Sequence, residues 1–270
     1  MLVESPATGI VTVRIDTPEN TFMPAATGLS NDELVRVRAS MEKIEIEASV
    51  DKKTGYISRA AGTKKKMAIK NARFEAIEKI SLSAWWSLNR STIGKVSIQV
   101  TKRLLRTYLP GGDFKLNIGF VEPVCNTGYV VVSILQNTNK FPYAVLGSCY
   151  SDTPESAMKK AFFESVQSWC ATNWLRKNNK ELMPYWDLGE LRKRSVEILS
   201  SPNLDFERET NFDNQKLLKF IPIKYIQTKS HSGKYVAWVY LDKSSDLNYV
   251  TENLVKRKNE STKIFSEYNY

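Results

Sequence analysis

Glu75 and Glu78 stand three residues apart in GTKKKMAIKNARFEAIEKISLSAWW, residues 62–86, where strong helix formers follow the opening glycine without another Gly or a Pro. Residues three apart on a helix share a face, so two carboxylates at this spacing can turn toward one hard cation, which takes oxygen ligands. Taken alone, E-x-x-E is also how an ordinary solvated helix face reads. Here the pattern recurs. Ser30 to Glu42, Thr63 to Glu75 and Asp152 to Glu164 each place an acid twelve residues past a residue suited to cap a helix. Nine residues past the cap come Ala39, Ala72 and Ala161, and fifteen past it Glu45, Glu78 and Gln167. A small residue one turn before the acid lets backbones approach closely, so helices of this template packed side by side would bring their acids to matched heights. Glu42, Glu45, Glu75 and Glu78 are therefore the candidate cation ligands, with Glu164 and Gln167 as their counterparts on a third helix.

The elements that must position these groups follow from pattern. IVTVRI at 10–15 alternates with period two and predicts a strand, followed by the turn-rich TPENTF and then MPAATG. LVRVRASM also alternates, but the shared template assigns it to a helix that runs on through Glu45 into IEASV. DKKTG predicts a turn and YISRAA a strand, before a long second helix capped by Thr63 and ending near Asn89. Its aromatic pair Trp85-Trp86 is expected in the core or in a cleft wall. Periodicity leaves STIGKVSIQVTKRLLR, residues 91–106, open between helix and strand. FKLNIGFVEP, GYVVVSILQN and YAVLGSCY predict an antiparallel meander, punctuated by CNTG and NTNKFP. The third helix leaves that sheet through SDTPES, with Pro154 in its first turn. A helix over residues 185–200, a loop at SSPNLDF and two strands, FIPIKYI and KYVAWVYL, complete the core, leaving a basic tail that reads as helix or disordered end. Strands and helices mix without regular alternation, so the expected fold class is α+β, with acidic helices packed on a mostly antiparallel sheet. We expect a single domain over residues 1–270, with its core at 8–240 and the tail at 241–270.

Composition narrows the function classes. Hydrophobic residues make up 42% of the 270, enough for a packed core, and no apolar run reaches membrane-spanning length. The start, MLVESPATGIVTV, lacks the basic region and apolar stretch of a signal peptide, so we expect a cytoplasmic protein and no membrane partner. Cys125, Cys149 and Cys170 are odd in number and widely spaced, which argues for thiols rather than disulfides or a zinc site. His231, the only histidine, lies in the turn-like KSHSGK and is poorly placed for a catalytic triad. The net charge of +10 would attract polyanions, but the clusters Lys64-Lys65-Lys66, Lys102-Arg103 with Arg106, Arg192-Lys193-Arg194 and Lys256-Arg257-Lys258 are short and dispersed. Each is expected as solvated surface, and nucleic acid is not an expected partner. Glycine-rich phosphate loops and CxxC pairs are absent from the sequence.

Taken together, the three helical repeats and the meander resemble the YcaO family over roughly residues 20–175. The family's first acidic helix, S-x-x-x-E-x-x-E-R, falls on Arg38 to Ile46. Its second, S-A-G-N before E-x-x-E-R, falls on Ala60 to Lys79. Its third, a G-rich strand end, D-P and E-x-x-Q, falls on Gly147 to Trp169, GSCYSDTPESAMKKAFFESVQSW. The resemblance implies ATP between these helices, its phosphates bridged by Mg2+ held on Glu42, Glu45, Glu75 and Glu78, with Thr63, Lys79, Glu164 and Gln167 also at the nucleotide. It implies phosphorylation of a peptide backbone amide and its conversion to an azoline, thioamide or amidine during maturation of a ribosomally synthesised peptide. It further implies a partner protein that captures the substrate peptide, and a homodimer is an open assembly. The chain departs from the pattern at Arg38 and Ala60 for serine, Thr63 for asparagine, and Ile46, Lys79 and Trp169 for arginine. Those departures suit an alternative, a YcaO-like scaffold or substrate-binding subunit without catalysis. Ile46 and Trp169 cannot supply a guanidinium's paired donors.

Overall fold

The computed structural model describes residues 2–3, 9–14, 25–29, 34–50, 56–87, 92–111, 113–123, 128–137, 139, 143–177, 188–204 and 223–241. Its elements run in the order β1 (Leu2–Val3), β2 (Ile10–Arg14), β3 (Ala25–Leu29), α1 (Leu34–Val50), β4 (Ser58–Gly62), α2 (Lys65–Ser87), β5 (Thr92–Lys95), α3 (Ile98–Tyr108), β6 (Phe114–Val121), β7 (Tyr129–Asn137), β8 (Ala144–Ser151), α4 (Pro154–Lys177), α5 (Leu188–Ser200), β9 (Ile223–His231) and β10 (Lys234–Leu241). The described strands form not one sheet but three, ordered β1-β2-β3, β4-β10-β9 and β5-β6-β7-β8, and every ladder in them is antiparallel. The expected meander is β6-β7-β8. Residues 91–106 resolve into both elements left open, the edge strand β5 and the helix α3. The turns at DKKTG and around Cys125 and the tail beyond Leu241 lie outside the described residues.

One helix serves two sheets. In its first half α2 sets Ala68, Ala72 and Ala76 against Ala60 of β4 and Ala237 and Val239 of β10. These alanines, four apart, form a flat stripe on which strands lie close, and Ser58 Oγ donates a 2.6 Å hydrogen bond to the Ala72 carbonyl. In its second half α2 sets Ile77, Ile80, Trp85 and Trp86 against Val130, Val132 and Ile134 of β7 and Leu146 of β8. Each sheet carries another helix on its far face. Ala61, Val236 and Trp238 turn away from α2 to meet Ala48, Met41 and Ile44 of α1. Val131, Leu135, Val145 and Cys149 turn away from it to meet Ala161, Phe162 and Val166 of α4. A strand buried on both faces needs no polar alternation, hence the nearly continuous apolar run VVVSIL in β7.

Ala39, Ala72 and Ala161 are all wholly buried. The closest approach is at Gly147 of β8, where a Cβ would overlap Ser165 N and the Ala161 carbonyl oxygen of α4. Only glycine lets that strand and helix touch backbone to backbone. The β9–β10 hairpin turns through Ser232 and Gly233, at φ of 47° and 71°, the left-handed pair a two-residue hairpin requires.

Three local expectations need correction. Ala25–Leu29, which overlaps MPAATG, a stretch with no predicted strand, is a strand paired with β2 and pinned by a 2.7 Å bond between the Thr12 and Thr27 hydroxyls. Two of the three helix caps fall one residue later than the template placed them: the Lys64 carbonyl accepts from Ala68 N, and Thr153, not Asp152, accepts from Ala157 N and caps Ser156 N with its hydroxyl, while Ser30 lies outside the described residues. Arg194, expected in a solvated basic cluster, is 1% exposed. Its guanidinium is neutralised by Glu190 and Glu197 at 2.8 Å, donates to the Trp86 carbonyl at 2.7 Å and stacks 5.0 Å from the Trp85 ring, tying α5 to the end of α2. By contrast Lys102, Arg103 and Arg106 are exposed on α3, along a shallow concavity of about 340 Å³.

Candidate functional site

The strands β4 and β8 end their sheets, and an end strand leaves alternate N–H groups without a ladder partner. Glutamates on the flanking helices meet them. Glu45 of α1 accepts from Ala61 N of β4 at 2.6 Å. Glu164 of α4 accepts from Ser148 N of β8 at 2.8 Å, and Glu78 of α2 accepts from Tyr150 N at 3.1 Å and from Ser148 Oγ at 2.5 Å. Because α2 and α4 cover opposite faces of that sheet, Glu78 and Glu164 reach its open edge from both sides. Glu75, one turn before Glu78, is paired with Lys79 at 2.7 Å.

These carboxylates lie within one another's fields. Burial pushes the Glu45 carboxyl up to about 8, with Glu75 and Glu42 adding repulsion against the Ala61 N–H and the Arg59 charge. Glu78 is likewise raised by burial, an effect offset by its bonds from Ser148 and Tyr150 and reinforced by Glu75. Glu164 is raised by surrounding protein and by Glu78, Glu75 and Glu42, against the Ser148 N–H. Its side chain is also open to solvent, which screens part of that repulsion. The neighbouring Cys149 thiol is raised by burial and by Glu78 and Glu164, which makes it an inert, protonated sulfhydryl. Cys149 and Cys170 are both free and buried, as expected of thiols.

The structure thus brings Glu42, Glu45, Glu75, Glu78 and Glu164 together from three helices, with Lys79 beside them. Such an all-oxygen, mutually repelling donor set fits a hard divalent cation better than a soft one. As they stand, the side chains face protein donors: among the described residues no three His, Cys, Asp or Glu side chains close round one point to form a cage. Thr63 is exposed and its hydroxyl points to Met67 Sδ at 3.6 Å, away from the capping role expected of it. Gln167 is half-buried one turn past Glu164, and helical register alone places it on the acid's side of α4. Trp169 is in the core, edge-on to Phe114 at 5.9 Å. Sequence reasoning missed Ser148, Tyr150 and Ala61, whose contributions are mainly backbone donors at strand ends. Their signal was topological: the residues flanking each acidic helix belong to strands that end their sheets.

No family model matches the chain, and no curated protein matches its sequence. Solved structures match it in shape. YcaO from Methanopyrus kandleri, in a structure bound with AMPPCP and Mg2+, is 13% identical and superposes with a TM-score of 0.64 over 96% of this chain and 90% of that one. The E. coli microcin synthetase McbBCD complex matches at a TM-score of 0.49 and 14% identity, over 86% of this chain and 63% of that one. The same complex with pro-MccB17 bound matches at 0.49 and 15%. The likeness to the Methanopyrus kandleri protein shows that this chain has a YcaO-like fold. Among the described residues no helix is long and apolar enough to cross a membrane.

Proposed function

We propose that the chain binds ATP with magnesium at the acidic cluster of α1, α2 and α4 and uses it to activate a backbone amide of a ribosomally made peptide. The observation that carries this reading is the convergence of Glu42, Glu45, Glu75, Glu78 and Glu164, where burial and mutual repulsion raise three of the carboxyls in a chain of net charge +10. A divalent ion relieves that repulsion, and the similar fold of Methanopyrus kandleri YcaO, in a structure bound with AMPPCP and Mg2+, supports the choice of nucleotide and metal. Glu42, Glu45, Glu75 and Glu78 would hold the ion, and Thr63, Lys79, Glu164 and Gln167 would face the nucleotide. Bound magnesium would neutralise the polyphosphate and help orient its γ-phosphoryl group.

The substrate amide oxygen would take the γ-phosphoryl group, leaving the nucleoside diphosphate. A Cys, Ser or Thr side chain, a sulfide or an amine then adds at the amide carbon and gives up its proton, and the C–O bond breaks with phosphate as the leaving group, giving an azoline, thioamide or amidine. In this reading the peptide is presented by a separate capturing protein in the cytoplasm, and the chain works alone or as a homodimer. The test is a calorimetric titration with AMPPCP and Mg2+: binding by wild type that is lost in Glu75→Gln supports the reading, and no binding to either sinks it.

One observation favours a second reading, a YcaO-like scaffold or substrate-binding subunit. Trp169, at the third motif's arginine position, is built into the core, and Ile46 replaces the first motif's arginine, so two guanidinium contacts to phosphate are gone. Failure to bind the nucleotide with retention of a peptide or a modifying enzyme would favour it.

A further inference from the structure

We infer that Ser148 is the positioning residue that holds Glu78, a proposed ligand of the cation, at a fixed point beside Glu164, which would face the nucleotide. The inference rests on the proposed reading of the acidic cluster as a metal-nucleotide site. Glu78 and Glu164 belong to helices on opposite faces of the β5-β6-β7-β8 sheet and meet at its β8 edge. Ser148 touches both. Its hydroxyl donates to Glu78 Oε1 at 2.5 Å and its backbone N–H to Glu164 Oε2 at 2.8 Å.

Two features fix the geometry of that link. Gly147, the preceding residue, lets α4 lie directly on β8, so the spacing between the β8 backbone at Ser148 and the α4 backbone at Glu164 is set by close packing. Tyr150 N takes Glu78 Oε2, so the two oxygens of Glu78 are each held by a separate donor from the same strand edge. The carboxylate then has a defined plane and torsion, as metal ligands do when outer hydrogen bonds orient them. Of the three donors, two are main-chain N–H groups that substitution cannot delete. The Ser148 hydroxyl is the one that sequence controls, and it is a small polar group on a strand that is otherwise largely apolar, AVLGSCYS.

The experiment measures Mn2+ affinity without nucleotide, from the electron paramagnetic resonance of the free ion, for wild type, Ser148→Ala and Ser148→Thr, with thermal melts of each. Losing an orienting donor of this kind weakens metal affinity by about 10–100-fold, which is the loss expected in Ser148→Ala, at an unchanged melting temperature. Ser148→Thr, which keeps the hydroxyl, is expected to restore wild-type affinity. Wild-type affinity in Ser148→Ala overturns the inference while leaving the metal site standing. So does a loss in Ser148→Ala that Ser148→Thr fails to restore, because packing rather than the hydroxyl would then be responsible. Absence of Mn2+ binding by the wild type overturns the metal reading itself, and this inference with it.

Discussion

Replacing Glu45 by Gln gives the acidic cluster a thermodynamic signature that needs no ligand. In the unfolded chain Glu45 titrates near 4.5, and in the folded protein near 8. Between those values the folded state keeps a proton that the unfolded state releases. The stability this group contributes is therefore fully present below pH 4.5 and is lost as pH rises through about 8. One group with such a shift gives a slope of at most about 1.4 kcal/mol per pH unit, and Glu78 and Glu164, raised in the same direction, steepen it. Gln is neutral throughout and still offers an oxygen to Ala61 N–H. Urea unfolding in EDTA, at steps between pH 4.5 and 8, is expected to show Glu45→Gln gaining on wild type as pH rises. Added Mg2+ should restore the wild type most at the alkaline end, where the cation no longer competes with a proton, and should restore the variant less. Parallel pH curves for the two proteins, or a wild type that gains on the variant with pH, would refute the reasoning.

Gly147→Ala is expected to lose about 1–3 kcal/mol or more, because the new Cβ meets backbone atoms of Ser165 and Ala161 that cannot rotate away; a thermal melt checks it. Arg194→Ala should lose about 3–5 kcal/mol by chemical denaturation, since Glu190 and Glu197 keep their charges with the buried guanidinium gone. Arg194→Met combined with Glu190→Gln and Glu197→Gln should recover much of that loss, because no uncompensated charge then remains.

Much of the architecture was legible because it is written in short-range pattern. The meander announced itself through β-branched runs between turn residues, and the helices through strong helix formers, small residues and periodic acids. The strand Ala25–Leu29 was not, since AATGL has a single large apolar residue and a glycine, and its pairing with β2 comes from the tertiary fold. Arg194 sits among basic neighbours in sequence, and only the packing of α5 against Trp85 and Trp86 makes it internal. The candidate site divides the same way. The acids Glu42, Glu45, Glu75, Glu78 and Glu164 could be picked out by spacing, whereas the donors they engage depend on which strands end their sheets. Thr63 shows the limit of spacing arguments: one residue of shift in the cap leaves its hydroxyl at Met67 rather than over the helix N-terminus.

The central claim is that this acidic cluster takes a metal-bound nucleotide, and the most direct measurement is the calorimetric titration of AMPPCP, with and without Mg2+, into wild type and Glu75→Gln. Saturable binding by the wild type that requires Mg2+ and disappears in the variant is the expected result. Binding that is indifferent to Mg2+ or unchanged in Glu75→Gln, or no binding by the wild type at all, would contradict it.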